Sequence, residues 1–266
     1  MSNIAQTYKR LRSSQKFQKR FGVAIRLIIA VILIAFSIFP VLWIVSASFD
    51  NANSLATQSL IPANAGIKNY QRLFNKDPNF SFGELKYWTW LWNSIKVSGI
   101  NTILGVSITT MAAYAFSRLR FKGRVPILKS ILLIQVFPNL LALVATFALV
   151  SNIGNIVPAL GLNTHAGLIM VYLGGSMGMN IWLVKGYMDT IPRDIDESAH
   201  VDGANDWQVF TKLILPLMRP ILVTIGILSF IGTYGDFLMA RVLLNDSSKY
   251  TLMVGLQLFT SGQFDK

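Results

Sequence analysis

Residues 189–206 read DTIPRDIDESAHVDGAND. Six of the chain's twelve acids fall within these eighteen positions, opposed only by Arg193. A segment this polar does not enter lipid, and its spacing is too regular for a slack loop. Ile191, Ile195 and Ala199 recur at i, i+4 and i+8, so one helical face is apolar. Pro192 suits a first helical turn, and the acids that follow sit where the helix dipole favours negative charge. Gly203 permits a tight turn that a side chain would hinder. A second stripe follows in Trp207, Phe210, Leu213 and Leu217, and Pro216 and Pro220 close it. The expected element is an acidic, amphipathic helix–turn–helix over about 190–216.

On both sides of this hairpin the sequence turns apolar. Hydrophobic residues make up 53% of the 266 residues and charged ones 14%, with a mean hydropathy of +0.49. A soluble domain carries roughly 25% charged residues, so neither a disordered chain nor an ordinary water-soluble globule fits. A bilayer core of ~30 Å takes about 20 apolar residues per helix. Runs of that kind lie at 27–49, about 93–117, about 125–151, about 166–184 and about 220–240. The expected fold is therefore an all-α polytopic membrane protein with five visible spans. Ser46-Ala47-Ser48 faintly resembles a cleavage site. The apolar run before it exceeds the ~7–15 residues of a signal peptide, so an uncleaved anchor is the preferred reading.

Lys and Arg set the orientation. With the N-terminus inside, the inner segments 1–26, about 118–129 and about 185–219 hold sixteen of the twenty-four basic residues, as the positive-inside rule requires. The basic tail 1–26 (Lys9, Arg10, Arg12, Lys16, Lys19, Arg20, Arg26) reads as a solvated retention signal, with nucleic-acid binding the weaker alternative. Net charge is +12, which in so apolar a chain orients spans rather than binding nucleic acid. Residues 50–92 read as a polar outer loop with Pro62 and Pro78 as breakers. Tyr87, Trp88, Trp90 and Trp92 then suggest an interfacial aromatic belt, with sugar stacking as the alternative. The acidic hairpin falls on the cytosolic side, where the other inner segments carry no acid. Negative helices lie poorly against an anionic leaflet. A docking element for a basic groove on a cytosolic partner is therefore the sharper reading, and a solvated hairpin the simpler one.

The stretch Glu197-Ser198-Ala199-His200-Val201-Asp202-Gly203-Ala204, followed by Phe210 and Leu215-Pro216, resembles the EAA motif of ABC-transporter importer permeases. Ser198 stands at the family's second-position Ala, and His200 where Ala is common. Residues 112–124, 229–237 and 250–257 resemble the second-span exit, the fifth span and the following outer segment of carbohydrate-importer permeases, the maltose/maltodextrin, MalG-like group in particular. The likeness covers most of residues 20–266. It implies a type I ABC importer transmembrane domain (MetI-like) over 27–266, in the plasma membrane of a prokaryote, with a cytosolic N-terminus. It implies as partners a second permease subunit, two cytosolic ATPase subunits that hold ATP and Mg, and an extracytoplasmic sugar-binding protein, and no cofactor on this chain itself. Glu197, Ser198, Ala199, Asp202, Gly203, Ala204, Phe210, Leu215 and Pro216 would form the ATPase-coupling surface, with Glu197 meeting basic groove residues. Asp236 and Tyr234 are candidates for contact with the pore or the partner permease, and Gln257 and Gln263 for contact with the binding protein. The resemblance also implies a sixth span after the outer segment. The sequence ends at Lys266, so the expectation is either a truncated chain or a permease lacking that helix.

Enzyme chemistry finds no support. Cys is absent, no Gly-Lys pair offers a phosphate-binding Walker A loop, and the two histidines, His165 and His200, are far apart in sequence. No metal site is expected. His165 reads as a solvated loop residue, and His200 as a bystander or a member of the docking surface. Asp236 reads either as an interfacial acid or as a pore-facing group. As the one acid within an apolar run, it is also the sole candidate for ion coupling in a stand-alone secondary transporter. The sugar stays open between maltose/maltodextrin-type oligosaccharides and others such as galacto-oligosaccharides. Gly226, Gly232 and Gly235 suit close helix packing.

Overall fold

The structure is a computed structural model that describes residues 2–51, 61–62, 64–74, 86–136 and 139–260. Two compact units divide it, 1–85 and 86–266. The all-α expectation holds: apart from one isolated bridge between Asp50 and Ala65, the regular structure among the described residues is helical.

The first unit is dominated by α1 (Ser2–Ser48). Its stretch Phe21–Ser48 is long and apolar enough to span a membrane, with a mean hydropathy of 3.0 in its most apolar window. The basic tail thus continues as helix into the first expected span. Beyond α1 the chain folds back on itself. Gly66 N–H donates to the Phe49 carbonyl at 2.8 Å, and Asn69, on the short α2 (Lys68–Leu73), donates to the Ser48 and Asp50 carbonyls. Phe49 and Tyr70 rings meet at 5.4 Å.

The second unit is built around α3 (Tyr87–Arg118), which packs against both α6 (His165–Met188) and α10 (Arg219–Gly235). Much of the buried face of α3 is small or polar, with Ser94, Ser98, Gly105, Thr109 and Ala113 between the larger Trp90, Val97, Tyr114 and Phe116. Small residues let helix backbones approach closely where lipid supplies no hydrophobic drive between helices. Gly226 of α10 lies over Thr102 and Val106 of α3. A Cβ built on Gly232 or Gly235 meets nothing within 4 Å, so of these three glycines only Gly226 packs against another described helix.

Several observed bounds differ from those read in the sequence. The run 125–151 is divided between α4 (Arg124–Gln135) and α5 (Asn139–Ile156). Pro138, in the intervening sequence, cannot donate a helical hydrogen bond and disfavours helix at the residue before it. The run 220–240 is helical only to Gly235. Asp236 is extended (φ −70°, ψ 130°), and a separate short α11 (Leu238–Leu243) follows. The run 93–117 begins one and a half turns earlier, at Tyr87. Among the described residues, two helices are long and apolar enough to cross a membrane. Two bent pairs, His165–Gly175 with Met177–Met188 (50°) and Asp206–Leu217 with Arg219–Gly235 (74°), add to these if each pair counts as one span.

At one end of the unit, the loop between α11 and α12 (Leu252–Thr260) is stapled to the start of α3. Asn93 donates to the Ser248 and Tyr250 carbonyls at 3.0 Å, and Ser94 Oγ accepts from Leu252 N–H at 2.7 Å. Trp90 donates to the Ser247 carbonyl and lays its ring on Gly255; it is 2% exposed. It therefore belongs to the core and not to an aromatic belt, whereas Trp88 and Trp92 are each over 60% exposed. His165, half-buried, shares a hydrogen bond with the Lys249 carbonyl and so also holds this loop.

Candidate coupling hairpin

The opposite end carries the acidic hairpin. Helix α7 (Asp194–Val201) starts with Asp194, Asp196 and Glu197 in its first turn, where the partial positive charge of the helix N-terminus stabilises them. It ends in a Schellman motif: Ala204 N–H reaches the Ala199 carbonyl at 2.9 Å and Gly203 N–H the His200 carbonyl at 3.0 Å. That closure puts Gly203 at φ +84°, in the left-handed region open to glycine at little cost. Asn205 then opens the second helix with a capping box, accepting from Gln208 N–H at 2.9 Å while the Gln208 side chain accepts from Asn205 N–H. His200 spans the turn. Its Nδ1 lies 2.9 Å from the Ala204 carbonyl, which can only accept, and its Nε2 lies 3.5 Å from Asp206 Oδ1.

The second limb departs from the expected pattern. After α8 (Asp206–Gln208) the chain is π-helical over Val209–Ile214 and resumes as α9 (Leu215–Leu217). Wider π turns shift the register of the buried face. The residues turned inward are Val209, Phe210, Ile214 and Met218, with Leu213 and Leu215 partly covered, while Trp207 and Leu217 are exposed. Pro216 and Pro220 each remove a donor and press on the carbonyl four residues back, which accounts for the 74° turn near Met218. The first limb keeps its expected face: Ile191 and Ala199 are buried and Ile195 packs on the same cluster.

The end of α3 clamps this hairpin. Tyr114 meets the Phe210 ring at 4.8 Å and donates to the Asp206 carbonyl. Ser117 Oγ donates to Asp189 at 2.6 Å, and the Ser117 carbonyl accepts from Arg193 at 3.1 Å. Arg118 donates to the Ile191 carbonyl at 2.9 Å and places its Nε 2.6 Å from Asp196 Oδ2, with only 7% and 11% of the two side chains exposed. The Nε–H does not point at a partner, so that contact is an ion pair more than an aligned hydrogen bond. Burial holds the Asp196 carboxyl above its usual range, against the downward pull of Arg118. Burial also pushes Asp189 upward, but hydrogen bonds from Lys185 and Ser117, with the charges of Lys185 and Arg124, win and hold it below its usual value.

The six acids therefore divide. Asp189, Asp196 and Asp206 have side-chain partners within the chain, and of these Asp196 alone is buried; Asp189 and Asp206, like Asp194, Glu197 and Asp202, lie exposed. Of the residues singled out for this surface, Glu197, Ser198, Asp202 and Gly203 are exposed. Ala199 and Phe210 are buried, and Ala204, Leu215 and Pro216 are half-buried behind them. Sequence reading missed Tyr114, Ser117, Arg118, Asp189, Arg193 and Asp196 as its anchors. The one signal was an acid flanking the apolar stripe and a lone Arg at the end of an otherwise uncharged run.

The remaining candidates do not join the hairpin. Tyr234 lies in the last turn of α10 and Asp236 just past it, about 24 Å along the helix axis from Arg219. Asp236 accepts from the Tyr172 hydroxyl at 2.7 Å and from Ala240 N–H at 3.2 Å, so it heads α11. Tyr234 stacks on Phe230 at 5.9 Å. Gln257 is exposed on α12, and Gln263 lies outside the described residues. The described residues hold no cluster of metal-ligating side chains.

Comparison with known proteins gives these residues a context. A family model described as a binding-protein-dependent transport system inner membrane component matches residues 102–263. The maltose/maltodextrin transport system permease protein MalG of Vibrio vulnificus (strain YJ016) is 47% identical over 227 residues, covering 84% of this chain and 76% of the relative. That of Escherichia coli (strain K12) is 40% identical over 241 residues, covering 89% and 81%. Among solved structures, a bacterial ABC transporter involved in the import of the acidic polysaccharide alginate is similar with a TM-score of 0.75 at 24% identity, covering 92% of this chain and 81% of that one. A bacterial alginate ABC transporter in complex with an alginate pentasaccharide-bound periplasmic protein is similar with a TM-score of 0.58 at 17% identity, covering 93% and 85%.

Proposed function

The chain belongs to the family of binding-protein-dependent transport system inner membrane components, and from that premise we propose that it forms half of the pore of an ATP-driven importer of maltose/maltodextrin-type oligosaccharides. A second permease completes the pore. Two cytosolic ATPases bind ATP and Mg and grip the hairpin, and an extracytoplasmic protein delivers the sugar. The chain hydrolyses nothing itself. It sits in the plasma membrane of a prokaryote with its N-terminus and hairpin in the cytosol. Residues 27–266 act as the transport domain, and Gln257 and Gln263 face the binding protein.

The observation that carries this reading is the two-faced hairpin. Its inner face is fastened to α3, while Glu197, Asp194 and Asp202 stand exposed. A basic groove would meet these carboxylates on a turn already closed by the Schellman motif of α7 and the capping box of α8, so little ordering cost falls on binding. ATP drives transport only by binding one state of the assembly better than the other, and the hairpin is where that difference enters this chain. The two MalG relatives supply the sugar class.

Co-purification with the ATPase, lost on Glu197→Lys, tests the coupling. If Glu197→Lys keeps both ATPase binding and uptake, the reading is wrong. Binding-protein pull-down with a sugar panel separates maltodextrins from galacto-oligosaccharides. A stand-alone secondary transporter would need Asp236 for ion coupling, but its carboxylate is already held by Tyr172 and Ala240. Uptake abolished by an ionophore while ATP is maintained would favour that alternative.

A further inference from the structure

We propose that Arg118 is the positioning residue through which a pull on the hairpin reaches the membrane helices. This rests on the hairpin being gripped by an ATPase. The guanidinium holds the first limb at two places, the Ile191 carbonyl and the Asp196 carboxylate. Arg193 crosses in the opposite direction, from the hairpin to the Ser117 carbonyl. Hydrogen bonds and an ion pair thus join α7 and the segment before it to the last turn of α3. Because α3 packs against both α6 and α10, whatever moves its end moves the helical body.

The direct path along the chain is built differently. From the second limb into α10 the axis turns by 74°, a π-helical stretch precedes the turn, and Pro216 and Pro220 remove two helical donors there. A bent segment short of hydrogen bonds transmits a pull poorly. The second limb reaches α3 instead through the Tyr114–Phe210 contact.

The ion pair is also a poor device for stability. Burial keeps the Asp196 carboxyl above its ordinary range although Arg118 lies beside it, so the attraction does not repay the loss of solvation. Apolar side chains of similar volume would stabilise the same spot at least as well. What they would not do is fix register and direction, and the fork of a guanidinium does both.

The test uses the whole complex, with partner permease, ATPases and binding protein, in proteoliposomes. Radiolabelled maltose imported per ATP hydrolysed is compared with the amount of ATPase retained on purification. Arg118→Met is expected to keep the ATPase bound and hydrolysing while import per ATP falls by about tenfold, within the range typical of coupling between sites. Arg118→Lys keeps a charge beside Asp196 and so folds, but a single ammonium cannot replace the fork; it should fall by a smaller factor. A purely structural role would lower the amount of complex and leave import per ATP unchanged. That result in Arg118→Lys overturns the proposal even if Arg118→Met does not assemble. If Glu197→Lys leaves ATPase binding intact, the coupling reading itself fails, whatever Arg118 does, and this inference fails with it.

Discussion

Replacing Gly203 by Ala isolates one physical cost. The residue sits at φ +84°, and a Cβ built there meets no atom within 4 Å. Steric crowding is therefore absent, and what remains is the left-handed backbone, which costs an L-residue about 1–2 kcal/mol. The ratio of the closed turn, with its bonds to the Ala199 and His200 carbonyls, to its open forms falls by roughly 5–30-fold. If the partner binds only the closed hairpin, its measured affinity falls by up to that factor, reaching it where the open form is already the major one. Titrating the purified permease with its ATPase reads this directly. Gly203→Asn is the control, because Asn tolerates the left-handed region better, and it should lose less than Gly203→Ala. Gly186→Ala is the opposite control. That glycine is inside α6, also with nothing within 4 Å, so Ala there should raise the thermal midpoint by removing a helix cost of roughly 0.5–1 kcal/mol. Equal affinities for Gly203→Ala and the parent chain, or a larger loss for Gly203→Asn, would refute the reasoning.

Two further outcomes follow from local geometry. A Cβ at Gly255 would enter the face of the buried Trp90 ring, so Gly255→Ala should lower the thermal midpoint by an overpacking cost of about 1–3 kcal/mol, and Trp90→Phe added to it should recover part of the loss. Asp189 has its folded pKa depressed, so its contribution is present above the unfolded value and is lost as pH falls through the lower folded one. Acid denaturation of the parent chain should therefore show a component, below about pH 4, that Asp189→Asn removes while lowering stability at neutral pH.

The hairpin was legible because its determinants are local. A proline and acids in a first turn, an apolar stripe and a glycine act over a few residues, and α7 with its Schellman closure follows from them. The second limb was legible as a helix but not in register, since a π-helical stretch has no signature in the hydrophobic period. Trp90 was misplaced for a different reason. An indole before an apolar run suits a membrane interface, and only the loop at Ser247, remote in sequence, gives its N–H a buried partner. Asp236 divided two readings that the Tyr172 hydroxyl, sixty-four residues away, now joins to a third, the head of α11. Partners of this kind are set by tertiary packing, which one sequence does not state.

Charge counting shows the same division most sharply. Six acids against one Arg made the hairpin look uniformly negative, yet Asp189 and Asp196 turn toward α3 and Asp206 faces His200. Only Asp196 is withdrawn from the surface, and the charge that stays exposed lies beside apolar surface, with Val201 88% and Trp207 62% exposed. A hairpin made only to be solvated gains nothing from an exposed valine and indole. A groove that receives it gains affinity from them, since buried aromatic anchors dominate interface energetics, while the carboxylates steer the approach. On the proposed docking, the partner's groove is therefore basic at its rim and apolar at its floor, and the inward acids contribute by holding the hairpin square to α3 rather than by meeting the groove.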